Sequence, residues 1–355
     1  MIERIELSSP AQPQHYPIFV GASLLERLSS QVDLKNFSQI VVLSDQGVWH
    51  LWQEKLLKGL GRPANYIEVP AGEAAKNFEV LAKVWEKLLK LNCDRETLII
   101  GLGGGAIGDL TGFAASTFMR GLSFILVPTT LLAQVDSSVG GKNGINISGT
   151  KNIVGTISSP LAVISDTDTL TTLNRREYQA GFAEVIKHAL IADAEMFEQL
   201  FVRDIPIVEI VTHSVRLKAK IVTADLRESG PRRLLNFGHT LGHAIEALSI
   251  ETAAPLLHGE AVALGMLGEA WISMSKGLLT EQQLDQVKKL LQKYSLPTSL
   301  SSKIDSADIK AKIALDKKRS KGEVAWTLLN SVGQGLINQS VSEQEVSAAI
   351  EFLRN

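Results

Sequence analysis

The chain has 355 residues, 45% of them hydrophobic and 21% charged, the values of a globular protein with material for about two domains. Its formal charge of -2 argues against non-specific nucleic-acid binding, which needs a strong basic excess to release counterions. One cysteine, Cys93, excludes an internal disulfide and a cysteine-based metal cage, while the charged N-terminus and short apolar runs predict no signal peptide, no membrane span and a cytoplasmic address.

In chain order, Ile40 to Leu43 predicts a buried strand ending at Ser44-Asp45, followed by a helix rich in Leu and Trp. Tyr66 to Val69 predicts a second strand, before Pro70-Ala71-Gly72-Glu73 and a helix carrying Phe78, Leu81, Val84, Trp85 and Leu88. Leu98 to Gly101 leads into Gly103-Gly104-Gly105 and an Ala-rich helix. Phe124 to Val127 ends at Pro128-Thr129-Thr130, and Leu161 to Ile164 ends at Ser165-Asp166. Such alternation indicates βαβ units and a mostly parallel, Rossmann-like sheet.

After about residue 170 the strand signal fades. Phe182, Val185, Ile186 and Leu190 recur at helical spacing, as do Ile207, Ile210, Val211, Val215 and Leu217. Further helices are expected at Ala261 to Ser275, Glu281 to Tyr294 and Ser342 to Leu353. The expected plan is an α/β nucleotide-binding domain over 1–170 and an all-α metal- and substrate-binding domain over 171–355, with a ligand cleft between them.

Gly103-Gly104-Gly105-Ala106-Ile107-Gly108-Asp109 has the strand–turn–helix context in which glycines let a pyrophosphate approach a helix N-terminus. A tight turn without ligand would need the same residues. The acidic residue that a dinucleotide fingerprint places after the next strand is absent, and acidic residues follow earlier strands instead, at Asp45 and Glu73.

His239 and His243 stand at i, i+4, His258-Gly259-Glu260 opens an apolar helix, and Glu184 lies in a helical pattern upstream. Two imidazoles and a carboxylate, with a position left for substrate or water, suit a catalytic Zn²⁺. Histidines that hydrogen-bond within a core would fit the same spacing. Spacing also leaves open whether His243 is a ligand or an acid–base and anion-binding group. His15, His50, His188 and His213 read as structural or surface residues. Arg120, Lys142, Lys151, Asn152, Lys187, Lys218 and Arg232 lie beside glycines or near these motifs, and their convergence would bind a phosphorylated, carboxylated small molecule.

Taken together these segments resemble the 3-dehydroquinate synthases, which are sugar-phosphate cyclases. The resemblance rests on Gly103 to Asp109, Arg120-Gly121, Val127 to Lys142, Lys151-Asn152, Glu184 to Lys187, Leu235 to Glu246, His258 to Ala263 and Asp316-Lys317-Lys318, nearly the whole chain in order. It implies NAD and Zn²⁺ or Co²⁺ as cofactors, with Glu184, His239 and His258 holding the metal. It implies an NAD site lined by Asp45, Gly72, Glu73, Lys76, Gly104, Gly105, Ala106, Asp109, Thr129, Thr130, Lys142, Lys151, Thr169, Leu170, Thr171 and Thr172. Asp136, Lys142, Asn152, Lys187, Lys218, Arg232, Asn236, His243 and Lys317 (or Lys318) would hold a sugar-phosphate substrate. Arg120 would reach the neighbouring subunit of a homodimer.

The implied reaction converts 3-deoxy-D-arabino-heptulosonate 7-phosphate to 3-dehydroquinate by transient oxidation, phosphate elimination, re-reduction and intramolecular aldol closure. Rivals of the same apparatus are 2-deoxy-scyllo-inosose or valiolone-type synthases and a metal-dependent polyol dehydrogenase; a catalytically dead nucleotide binder is a third class. Asn174, Thr156-Ile157, Leu226 and Pro231 depart from the family's pattern.

Overall fold

The structure, a computed structural model, describes residues 15–315 and 324–355 in full and the backbone alone of 316–319. Six parallel strands form the main sheet: β1 (Ile18–Gly21), β2 (Gln39–Ser44), β3 (Asn65–Glu68), β4 (Thr97–Gly103), β5 (Ser123–Pro128) and β8 (Ala162–Asp166), in the order β1-β8-β5-β4-β2-β3. All five strands read from sequence are present, within about two residues of their expected ends.

Period-2 alternation sorts the side chains between the sheet's two faces. Ile40 and Val42 pack with Trp52, Leu56 and Leu60 of helix α2 (Gln46–Leu60), beside the short α1 (Leu28–Gln31). Val41 and Leu43 pack with α3 (Phe78–Lys90) and α4 (Gly105–Thr117), whose Leu81, Leu88, Ile107 and Leu110 fill the opposite layer. After β2 the chain steps outward to β3, then returns past β2 to β4. This reversal opens a crevice at the carboxyl ends of β2 and β4, where ligands of open α/β sheets bind.

The second part holds α5 (Arg175–Ala192), α6 (Ala194–Val202), α7 (Ile207–Ala224), α8 (His239–Ser249), α9 (His258–Ser275), α10 (Glu281–Lys293), α11 (Ser306–Arg319) and α12 (Glu343–Arg354). Helix α9 is buried on nearly every side and α8 lies against it. Their approach depends on glycine. A Cβ on Gly265 would stand 1.9 Å from the Gly238 carbonyl oxygen.

Two hairpins were not read from the sequence. One, β6 (Lys142–Ile147) with β7 (Thr150–Ile157), turns at Ser148-Gly149, both at positive φ. That dipeptide between β-rich runs is a usable turn signal. The other, β9 (Trp326–Ser331) with β10 (Gln334–Gln339), adds a small sheet to the helical part.

The departures in sequence have local explanations. Asn174 caps α5, its side chain accepting from the Arg176 amide. Pro231 occupies the first turn of a 3₁₀ helix, where its missing N–H costs nothing. Thr156 Oγ1 lies 2.7 Å from Ser116 Oγ, and the Leu226 carbonyl accepts from Arg232.

Gly265→Ala is expected to destabilise the protein by about 1–3 kcal/mol through overpacking, measured as a lower urea midpoint. A wild-type midpoint would mean that the α8–α9 contact has slack the packing does not suggest.

Candidate active site

Gly104, as N-cap, offers α4 no side chain, so the first-turn amides are open to a ligand. Gly104 and Gly105 leave no room for a methyl: a Cβ would meet Thr130 Cγ2 at 3.1 Å and Ser137 Oγ at 2.7 Å. A crevice at the ends of β4 and β5, beside α4 and the start of β6, is lined by Gly103, Gly105, Asp109, Ser137, Ser138 and Lys142, among others. Ser137 Oγ and Ser138 Oγ are buried there without a hydrogen-bond partner.

Several residues expected at a nucleotide gather around this edge. Asp45 caps α2 from the end of β2, accepting from the Val48 amide. Lys76 is buried and donates to Asp109 and to Asn152 Oδ1 (2.6 Å), joining residues assigned to two different ligands. Burial lifts the Asp109 carboxyl although Lys76 opposes it. Gly72 sits at φ +65, and Glu73 Oε2 accepts from Asn146 on the hairpin. Thr130 Oγ1 accepts from the Ala133 amide and Thr129 donates its amide to Gly103. Thr169 and Leu170 are buried, with the Thr169 hydroxyl bonded to Asp166, whereas Thr171 and Thr172 are exposed.

From this edge the chain runs into a π-helical turn, Ala133–Ser137, which carries Asp136 to α5 and α7. Lys218 Nζ donates to the Asp136 carbonyl (2.7 Å) and forms an ion pair with its Oδ1 (2.7 Å), and Lys187 Nζ is 3.8 Å from the same carboxylate. Lys187 also pairs with Glu184 one turn back on α5. Burial would raise the Asp136 carboxyl, but the two lysines hold it well below the usual range. Burial would likewise lower Lys187, yet Glu184 and Asp136 raise it. For Lys218 burial prevails and its ammonium is pushed down.

Beyond these charges lie the histidines. Glu184 is fully buried, and its Oε1 accepts no hydrogen bond. That oxygen stands 3.7 Å from His239 Nε2 and 3.9 Å from His258 Nε2. Two donors on one tetrahedral Zn²⁺ stand about 3.4 Å apart, so each of these two separations is close to what a shared divalent ion needs. Both tautomers are set from behind. His239 Nδ1 donates to the Phe237 carbonyl (3.1 Å), and His258 Nδ1 to Glu246 Oε2 (3.1 Å), leaving each Nε2 free to coordinate. Desolvation drives His239 well below its ordinary value, which favours the neutral imidazole a metal needs. His243, exposed, stacks edge-on to His239, and donor atoms of His239, His243 and His258 also lie within 4.8 Å of one another.

Three acidic residues to which the sequence assigns no role hold the site together. Glu228, at φ +60, accepts from both Lys142 and Asn236. Burial pushes its carboxyl up, but those two donors bring it below the normal range. Glu246 links His258 to Lys151 (2.6 Å), which brings Lys151 to the histidines. Burial opposes its ionisation, but His258 and Lys151 lower its carboxyl to about 2. Glu269 supports the start of α8. Each is a lone acidic residue in sequence, indistinguishable there from a surface charge.

Arg232 is buried, donates to the Leu226 carbonyl and packs against Gly140. His188, read as structural or surface, is buried 3.5 Å from Asp136. His213 lies at the surface against Asp193. Arg120 sits on an exposed turn at φ +69 and is joined to none of these groups by an ion pair among the described residues. The side chains of Lys317 and Lys318 lie outside the described residues.

Known proteins resemble this chain in sequence and in fold. The family model described as 3-dehydroquinate synthase N-terminal matches residues 66–180, and that described as 3-dehydroquinate synthase C-terminal matches 181–319. A 3-dehydroquinate synthase of Symbiobacterium thermophilum is 38% identical, over 96% of this chain and 98% of its own. One from Nitrosospira multiformis is 42% identical, over 94% and 93%. Among solved structures, the 2-epi-5-epi-valiolone synthase of Streptomyces hygroscopicus, with NAD⁺ and Zn²⁺ bound, superposes with TM-score 0.86 at 26% identity, covering 98% of this chain and 99% of that one. A 2-deoxy-scyllo-inosose synthase complexed with carbaglucose-6-phosphate, NAD⁺ and Co²⁺ gives 0.84 at 26%, over 94% and 95%.

His258→Ala is expected to weaken Zn²⁺ binding by more than about 100-fold, since even outer-shell losses cost 10–100-fold, with the far-ultraviolet circular dichroism unchanged. One tightly held Zn²⁺ per variant chain in equilibrium dialysis would refute the placement of His258 at a metal.

Proposed function

The chain belongs to the 3-dehydroquinate synthase family, and from that membership we propose that it converts 3-deoxy-D-arabino-heptulosonate 7-phosphate to 3-dehydroquinate and phosphate. The observation that carries the reading is the unpartnered buried Glu184 Oε1 facing two Nε2 atoms, next to a cluster of buried cations at a glycine-lined crevice. When bound, NAD would supply a reversible hydride acceptor, and Zn²⁺ or Co²⁺ would supply Lewis acidity.

The chain's own residues bind and orient. Glu184, His239 and His258 would hold the metal, and the open α4 N-terminus the dinucleotide phosphates. Lys142, Asn152, Lys187, Lys218, Arg232, Asn236, His243 and Lys317 would direct donors at a phosphorylated carboxylic acid. Asp136 fixes where Lys187 and Lys218 point, and Glu228 aligns Lys142 with Asn236. Such fixed donors suit a reaction that carries one flexible intermediate through several steps, where orientation is the main demand. Residues 1–170 would serve the nucleotide and 171–355 the metal and substrate.

The enzyme would be a cytoplasmic homodimer without nucleic-acid or membrane partners. The β6–β7 hairpin supports the dimer: Ile153, Val154 and Ile157 are 58%, 41% and 46% exposed, an apolar strip unusual on a free surface. Arg120, on a nearby exposed turn with Met119, would serve the neighbouring subunit's substrate. Among the described residues no helix is long and apolar enough to cross a membrane.

The deciding assay is phosphate release from 3-deoxy-D-arabino-heptulosonate 7-phosphate with NAD⁺ and Zn²⁺, with mass identification of the product. Stoichiometric phosphate and 3-dehydroquinate without net NADH are expected. Silence with that substrate and turnover of glucose 6-phosphate would transfer the reading to the inosose-type cyclases. In sedimentation velocity the wild type is expected to run as a dimer and an Ile153→Glu, Val154→Glu variant as a monomer; a monomeric wild type would remove the dimer from the proposal.

A further inference from the structure

Glu269 lies on α9, three turns beyond His258, and is fully buried. Among the described residues no lysine or arginine pairs with it. Its carboxylate instead accepts from backbone amides of another helix: Gly238 N at 2.6 Å and Leu241 N at 3.2 Å. These amides open α8, whose first turn begins at His239.

The start of a helix leaves its first amides without partners, and an N-cap side chain normally supplies an acceptor. Here the N-cap is Gly238, which has no side chain and sits at φ +80. A Cβ there would meet Met266 Cγ at 2.4 Å, so the cap must come from elsewhere. Glu269 provides it from across the helix pair. Burial pushes the Glu269 carboxyl up to about 8 against the pull of the Gly238 and Leu241 amides, and a buried acidic group whose two oxygens both serve amides of one helix start is an unusual choice for packing alone.

The two helices so joined each begin with one of the facing histidines, His239 on α8 and His258 on α9. A strut from the body of α9 to the first turn of α8 sets how far apart, and at what angle, the two imidazoles stand. We infer that Glu269 is a positioning residue for the metal centre, holding His239 in register with His258 by capping α8. This rests on the reading of Glu184, His239 and His258 as metal ligands. Glu269 touches neither substrate nor metal.

The test is Co²⁺ titration of the metal-free full-length protein, read by visible absorption and by competition with a chelator. Glu269→Ala is expected to weaken Co²⁺ by about 10–100-fold, the usual cost of an outer-shell partner, and to shift its visible band. Glu269→Gln, which keeps an oxygen acceptor, is expected to restore most of both. Ser273→Ala, which removes a buried bond from the same helix to the Leu329 amide, is expected to keep the wild-type affinity and band despite a lower melting temperature. If Glu269→Ala does not fold, Glu269→Asp carries the test, since one methylene fewer pulls the acceptor away from α8.

Wild-type affinity and band in folded Glu269→Ala or Glu269→Asp would overturn the inference alone. Equal weakening in Ser273→Ala would overturn it too, by showing a general effect of stability. A wild-type protein that binds no Co²⁺ would instead overturn the metal reading, and the inference with it.

Discussion

A carboxylate with no access to water needs partners close at hand, and Glu184 imposes that condition on the middle of this protein. One of its oxygens is met by Lys187; the other is left facing two imidazoles. Lys187 is itself buried, and reaches Asp136, which is shared with Lys218. The result is an alternating chain of buried charges in which each member depends on the next. Breaking such a chain by removing one partner costs about 3–5 kcal/mol, because the charge left behind keeps its desolvation penalty.

The same chain connects the two halves of the molecule. Glu184, Lys187 and Lys218 sit on helices of the second half, whereas Asp136 comes from the π-helical turn that follows β5. That turn starts beside the glycine crevice, with Thr130 receiving the Ala133 amide, and ends three residues short of Gly140, against which Arg232 packs. The glycine-lined edge and the cation cluster are therefore separated by one short stretch of backbone. On the proposed function, a substrate held by the cations would lie at the opening of that crevice, as a hydride exchange with a dinucleotide there requires.

Behind the groups that face the ligands stands a second set that only the folded chain assembles. Glu246 turns His258 and ties it to Lys151 on the hairpin; Glu228 aligns Lys142 with Asn236; Glu269 caps the helix that begins at His239. The three come from a helix interior, an irregular loop and a buried helix face. The geometry of the site belongs as much to these acidic residues as to the histidines and lysines they orient.

The sequence by itself determined the βαβ alternation, the glycine loop at the end of β4 and the helical second half, because periodicity and strand–turn–helix chemistry are local properties. It also brought Glu184, His239, His258 and the buried lysines to notice, through motif likeness more than spacing. The Ser148-Gly149 turn is legible between its two β-rich runs, whereas β9 and β10 carry weaker signals. What only the tertiary structure decided is which charges meet: that Lys76 bridges Asp109 and Asn152, that Lys151 reaches Glu246, and that Glu269 caps a helix thirty residues before it. The physical reason is that a lone carboxylate in a sequence has no partner until the fold supplies one, and its burial, which makes that partner obligatory, is a property of the packed chain alone.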